Sequence, residues 1–309
     1  MLVVVGFIIV IVCVFGGYVV GGGVLGPIYQ PAEITIIIGA AIGSFVASNN
    51  MKAIKATFRT ARRLKRTKRY NRALYMDLMA MEYQLLTKLR RDGQLGIEKD
   101  VENPAESELF KAHPRVSTDP LIMQYLTDYL RLMASGHVNP IELDELMTHE
   151  IETLERDLHV PVDALFRTGD ALPAFGIVAA VLGVVKALAS AGAGASVMGA
   201  MIAHALVGTF AGIFLAYGLV NPMASALDRQ TQEAIRMLQC IRVTLLATMN
   251  GYVPQLAVEF GRKALSASDR PSFEELEEHI RNAHRAGAPT RDGAEETVEI
   301  GGHPAGGTP

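Results

Sequence analysis

Four stretches of the chain carry almost nothing but apolar residues. Residues 1–20 (MLVVVGFIIVIVCVFGGYVV) hold no charge and no strongly polar group. At about 1.5 Å of rise per residue, a helix of that length spans roughly 30 Å, the thickness of a bilayer's hydrocarbon core. The stretch lacks the basic start and shorter apolar centre of a secretory signal, so it predicts a retained first span. Residues 34–48 (ITIIIGAAIGSFVAS) form a second run, short enough that a buried core helix is its rival on length. Gly39, Gly43 and Ala47 recur every four residues, a spacing that lets membrane helices approach closely, and this favours a span. Residues 171–190 and 201–220 are the third and fourth runs, and Gly208, Gly212 and Ala216 repeat the spacing there. All these small residues predict helix packing rather than contact with a ligand.

The polar segments set the orientation. Ten basic residues and no acid lie between Lys52 and Arg72, whereas 21–33 and 191–200 contain no Lys or Arg. The positive-inside rule therefore places 52–170 and the C-terminus in the cytoplasm, and with four spans the N-terminus lies on the same side. Such a cluster could be a nucleic-acid patch. Directly after a span it fits orientation and contact with anionic lipid better, and no nucleic-acid partner is expected.

Residues 71–91 have apolar positions at helical spacing. Asp119 before Pro120 reads as a helix start and Gly136 as a stop. Asn139, Pro140 and Glu142 begin an acidic helix over roughly 140–158. Residues 92–118, with Gly93, Gly96, Pro104 and Pro114, read as a loop. A helix over 223–250 continues from the fourth span, and Ser272 with Glu275 forms a capping box before a last helix. The Gly-, Pro- and Thr-rich end is expected to be disordered. The organisation predicted is 1–51 for the first two spans, 52–170 for a cytoplasmic helical loop and 171–222 for the last two spans. A cytoplasmic helical region, 223–285, and the tail, 286–309, complete it.

Composition agrees with a membrane protein: half of the 309 residues are hydrophobic, a fifth are charged, and the formal net charge is −3. Cys13 and Cys240 stand far apart, which excludes a disulfide framework and a paired-cysteine metal site. No phosphate-binding loop, dinucleotide fingerprint, zinc-protease or nucleophile-elbow motif is present, so an enzyme has little support and no metal site is expected. The four runs contain no Asp or Glu; Lys186 and His204 are their ionisable residues, both near the non-cytoplasmic ends, where snorkelling accounts for them. A proton path needs a group that binds and releases the ion. Either the chain conducts nothing, or another chain supplies the acid. Pro173 and Pro222 lie at the cytoplasmic ends of the last two spans, as a helix start and a helix end or as a pair of hinges.

The segments YQPAEITIIIGAAIGSFVASNN, LPAFGIVAAVLGVV, HALVGTFAGIFLAYGLVNP and VTLLATMNGYVPQLAVEFGRKAL resemble the MotA family of bacterial flagellar motor stator subunits, within the MotA/TolQ/ExbB proton channels. EKDVENPAESELF, DYLRLMASGH and RPSFEELEEHIR resemble it too, and the similarity runs in order from residue 1 to about 284. The resemblance implies an all-α polytopic membrane protein of the bacterial inner membrane, with four transmembrane helices and a helical cytoplasmic domain. It implies a pentameric ring around a MotB-type, single-span, peptidoglycan-binding partner that carries the membrane aspartate. Ion flow past that aspartate would drive the ring against a FliG-type rotor switch protein. Each ion brings roughly 2.3 kcal/mol per 100 mV of potential.

By the same resemblance, Pro173 and Pro222 match coupling prolines, and Arg90 and Glu98 match charged rotor contacts; Arg91 and Asp92 depart from the family pattern. Thr209 matches a pore-facing threonine, and Ala180 stands where sodium-driven relatives have a second one. A methyl cannot coordinate dehydrated sodium, so protons are the expected coupling ion, with no other cofactor. Pro173 to Ala180 is seven residues and Thr209 to Pro222 thirteen, so spacing alone does not put Ala180 and Thr209 at one depth. The competing readings are an ExbB/TolQ-like subunit energising outer-membrane processes, typically with three spans, and a non-conducting membrane scaffold.

Overall fold

A computed structural model describes residues 2–63, 70–190, 192 and 194–286. The tail from 287 onward and part of the basic cluster (Lys65, Arg66, Lys68 and Arg69) lie outside the described residues.

Two very long helices form the frame. The sequence arms the start of the first: the Asn139 side chain accepts from the backbone N–H of Ile141 (3.0 Å) and Glu142 (2.9 Å), and Pro140 takes the first turn. This helix does not stop near residue 158 as its acidic pattern predicts. It runs unbroken as Pro140–Ala189, 50 residues and about 75 Å, through Pro161 and Pro173. Its antiparallel partner runs Ala195–Leu215, turns through a π segment Ala216–Val220, and continues as Asn221–Met249. We label the helices in chain order: α1 (Leu2–Ile11), α2 (Gly17–Val20), α3 (Pro31–Ser48), α4 (Met51–Arg63), α5 (Arg72–Asp92) and α6 (Gln94–Glu102). Then follow α7 (Glu108–Lys111), α8 (Pro114–Ser117), α9 (Pro120–Ser135), α10 (Pro140–Ala189), α11 (Ala195–Leu215), α12 (Asn221–Met249), α13 (Pro254–Ala264) and α14 (Phe273–Ala286).

Half of the long hairpin is apolar outside and half is amphipathic. In the amphipathic half, Leu143, Met147 and Ile151 of α10 share one face at four-residue spacing. They join Leu238, Ile241 and Leu245 of α12 in a large core closed by α5, α9, α13 and α14. A polar tie supports the hairpin: Arg242 Nε donates to Asp144 Oδ1 at 2.6 Å. In the apolar half the outward side chains, such as Ile177, Val181, Val185, Leu206 and Ile213, have no protein to cover them. Among the described residues, four helices are long and apolar enough to cross a membrane, the fold class that the sequence predicts. The first, Val3–Val20, has no buried residue and touches the hairpin through Phe15, packed edge-on to Phe210 and Phe214.

Three readings of the sequence need correction. Residues 92–118 are not a loop: α6, α7 and α8 occupy them. The glycines and prolines there mark helix boundaries, with Gly93 at φ +71° between α5 and α6 and Pro114 in the first turn of α8. The stripe Gly39, Gly43, Ala47 lies on an exposed face, and a Cβ at either glycine would meet nothing within 4 Å. Packing within the chain falls instead to Ile37 and Ala41 against Leu172, Ala179 and Ala216. Third, the spanning helix begins before the apolar run does, at Pro31, and so takes Glu33 into its first turn. A carboxylate there complements the partial positive charge of the helix N-terminus.

Candidate ion path and coupling site

The third and fourth apolar runs meet backbone to backbone. A Cβ built on Gly176 would sit 2.9 Å from the Gly208 carbonyl oxygen and 3.2 Å from Gly212 Cα; one on Gly212 would sit 2.6 Å from the Leu172 carbonyl oxygen. Only glycine permits this approach. The packing role predicted for Gly208 and Gly212 is met. The crossing also sets the relative depth of Ala180 and Thr209. A Cβ on Gly208 would lie 3.4 Å from Ala180 N, and one on Gly176 would lie 3.4 Å from Thr209 Cα. Ala180 and Thr209 are therefore neighbours at one level, both half-buried. Lower down, Gly169, a turn before Pro173, meets Asn221, the residue before Pro222, so the unequal spacing leaves the two prolines more than a helical turn apart in depth.

The two prolines leave matching gaps. Each lacks a ladder N–H: Pro173 leaves the Gly169 carbonyl of α10 without its donor, and Pro222 offers none to the carbonyls of the π segment. Pro173 sits inside α10 and Pro222 in the first turn of α12, directly after the π turn that the Asn221 N–H closes onto the Ala216 carbonyl. Asn221 Nδ2 donates to Asp170 Oδ1 at 3.4 Å, while Asn221 Oδ1 is buried with no partner.

Below this junction α10 and α12 are tied by His159. Its Nδ1 lies 2.8 Å from the Glu155 carbonyl oxygen and its Nε2 3.0 Å from Asp228 Oδ1. Both partners only accept, so the two contacts together require the imidazolium. Burial pulls the pKa down, but the Glu155 carbonyl and the Asp228 carboxylate more than offset it, and the net direction is up.

The charged pair lies in the helical domain. Arg90 is exposed in the last turn of α5, and Glu98 is exposed on α6, across the Gly93 turn. The corner is stiffened from behind: Lys88 Nζ donates to Asp100 Oδ2 at 2.6 Å, and Ser107 Oγ donates to Asp100 Oδ1 at 2.6 Å. Arg91 is paired with Asp92, at 2.7 Å from Nε to Oδ1, so this arginine is spent within the chain. Neither Arg90 nor Glu98 takes part in an ion pair among the described residues. Among the described residues no group of three His, Cys, Asp or Glu could hold a metal ion.

Two acidic residues escaped the sequence reading. Glu33 stands at the start of α3, with Oε2 buried and without a partner. Glu82 of α5 is wholly buried, and neither carboxyl oxygen has a partner. Burial pushes its pKa up to about 8, against the pull of the nearby Thr244 hydroxyl. Glu82 falls on the apolar stripe of α5, between Leu78 and Leu85, and that position was the legible signal.

Comparison with known proteins places this geometry. Residues 4–93 match the family model "Motility protein A N-terminal", and residues 117–240 match that of the MotA/TolQ/ExbB proton channel family. Motility protein A of Escherichia coli (strain K12) is 53% identical over 281 residues, covering 91% of this chain and 95% of that protein. The chemotaxis protein LafT of Vibrio parahaemolyticus is 37% identical over 275 residues, covering 89% and 96%. The flagellar MotAB stator complex from Bacillus subtilis aligns with a TM-score of 0.72 at 25% identity, over 87% of this chain and 98% of that one. This chain belongs to the motility protein A family of the MotA/TolQ/ExbB proton channels.

Proposed function

We propose that the chain is the ring-forming membrane half of a proton-driven flagellar stator, completed by a single-span, MotB-type, peptidoglycan-binding partner. The observation that carries this reading is the α10–α11 crossing. It brings Thr209 and Ala180 together with no acid beside them, so the ion-binding carboxylate must come from outside the chain. A relative of known structure is a MotAB complex, which supports a partner of that kind. A pentameric ring suits the uncovered apolar faces of α1, α10 and α11.

Protons are the proposed coupling ion, since Ala180 offers no oxygen to a dehydrated sodium ion. Both termini and the helical domain lie in the cytoplasm of an inner-membrane protein, on the side of the basic α4. Arg90 and Glu98 meet opposite charges on a FliG-type rotor protein, where exposed charges give steering and register more than affinity. Pro173 and Pro222 carry movement from the membrane to that surface. The four helices of spanning length favour this reading over an ExbB/TolQ-like subunit with three. A strain lacking the chain should build flagella that do not turn, and a plasmid copy should restore swimming. Normal swimming of the deletion strain would refute the assignment.

A further inference from the structure

We propose that Asn221 is a positioning residue that locks the two proline gaps to each other, so that both helices move as one when ions pass. The proposal rests on the torque-generating reading above and adds a residue to it.

Three observations converge on this side chain. First, it is seated on Gly169: a methyl added there would coincide with the Asn221 amide. Gly169 is the residue whose carbonyl Pro173 leaves without its ladder donor. Second, Asn221 belongs by its backbone to the other gap. It directly precedes Pro222, and its own N–H closes the π turn onto the Ala216 carbonyl. A shift of α12 at Pro222 therefore displaces an amide wedged at the gap made by Pro173. Third, the arrangement is not the most stable one for that space. Asn221 Oδ1 is buried without a donor, which costs free energy that an apolar side chain would avoid. The favourable contact it keeps is directional: Nδ2 donates to Asp170 Oδ1 at 3.4 Å, on the residue after Gly169. A costly polar group held by one directional bond between the two prolines' missing donors fixes register.

The test uses the full chain with its single-span partner, in cells deleted for the native copy. N221D places two carboxylates together and should lose most of its stall torque while still joining motors. The reciprocal pair N221D/D170N restores one donor and one acceptor, reversed, and should recover at least half of that loss. Proton influx through the complex should stay at the unaltered level in both, because neither residue lines the Thr209–Ala180 level. Wild-type torque in N221D would overturn the proposal. So would a double variant no better than N221D, or torque and influx falling together. If N221D fails to join motors, N221A decides: reduced torque at normal influx supports the lock, and normal torque removes it. The deletion strain is scored first, since swimming without the chain would strike the torque reading and not the lock.

Discussion

Glu82 is a carboxyl placed where a leucine belongs. Nothing hydrogen-bonds its oxygens, and burial lifts its pKa to about 8. The sign follows from linkage. The folded state holds the proton to higher pH than the unfolded chain does, so stability falls as pH rises from the ordinary carboxyl value of 4.5 towards about 8. Glu82→Gln keeps the shape and cannot ionise. Its thermal midpoint in detergent should match the parent at pH 5 and exceed it by several degrees at pH 8.5. Equal midpoints at both would place Glu82 in water. At Arg90 and Glu98 the expectation concerns force rather than folding. Both are exposed and outside the ion pairs described, so reversing either charge should lower torque without lowering the amount of protein in the membrane. A double reversal with unchanged motility, scored by swimming speed, would remove them from the rotor surface.

At the scale of elements, the α10–α11 crossing decides whether the membrane half forms. A methyl at Gly212 would sit 2.6 Å from a backbone oxygen that cannot move aside. Gly212→Ala should therefore reduce assembled protein severalfold on an immunoblot of membranes, whereas a normal level would mean that the helices are further apart. These elements were legible because apolar runs, caps and small-residue spacing are local signals. The Asp119 cap, for example, accepts from Leu121 N–H at 3.0 Å as its type and place predict. The continuation of α10 past residue 158 was not legible. Pro161 should interrupt a helix at a cost of about 3 kcal/mol, but α10 continues through it, with Val162 and Leu165 packed against Ala224 and Leu227. The short helices of 92–118 were missed because α7 and α8 have four residues each and α6 nine, so they borrow their stability from the core. Phe110 and Val116, for instance, are fully buried there.

For the whole molecule, charge asymmetry and four spanning helices define a topology that reporters can check. Fusions after residues 60 and 230 should read cytoplasmic, and fusions after 25 and 195 should read non-cytoplasmic; any exchange would break the four-span arrangement. Less of the site than of the fold was legible. Residue spacing could not set Ala180 beside Thr209, because their common depth depends on where the glycines let the helices cross. Nor could it find Asn221, whose partner Asp170 lies 51 residues away in the chain. What the sequence does carry is the missing carboxylate midway along the spans, since the acid that the helices add, Glu33, stands in the first turn of α3. The most direct test of the account is proton influx into energised vesicles containing this chain alone or with its single-span partner. The account predicts background influx for the chain alone and clear influx for the complex; equal influx in both would contradict it.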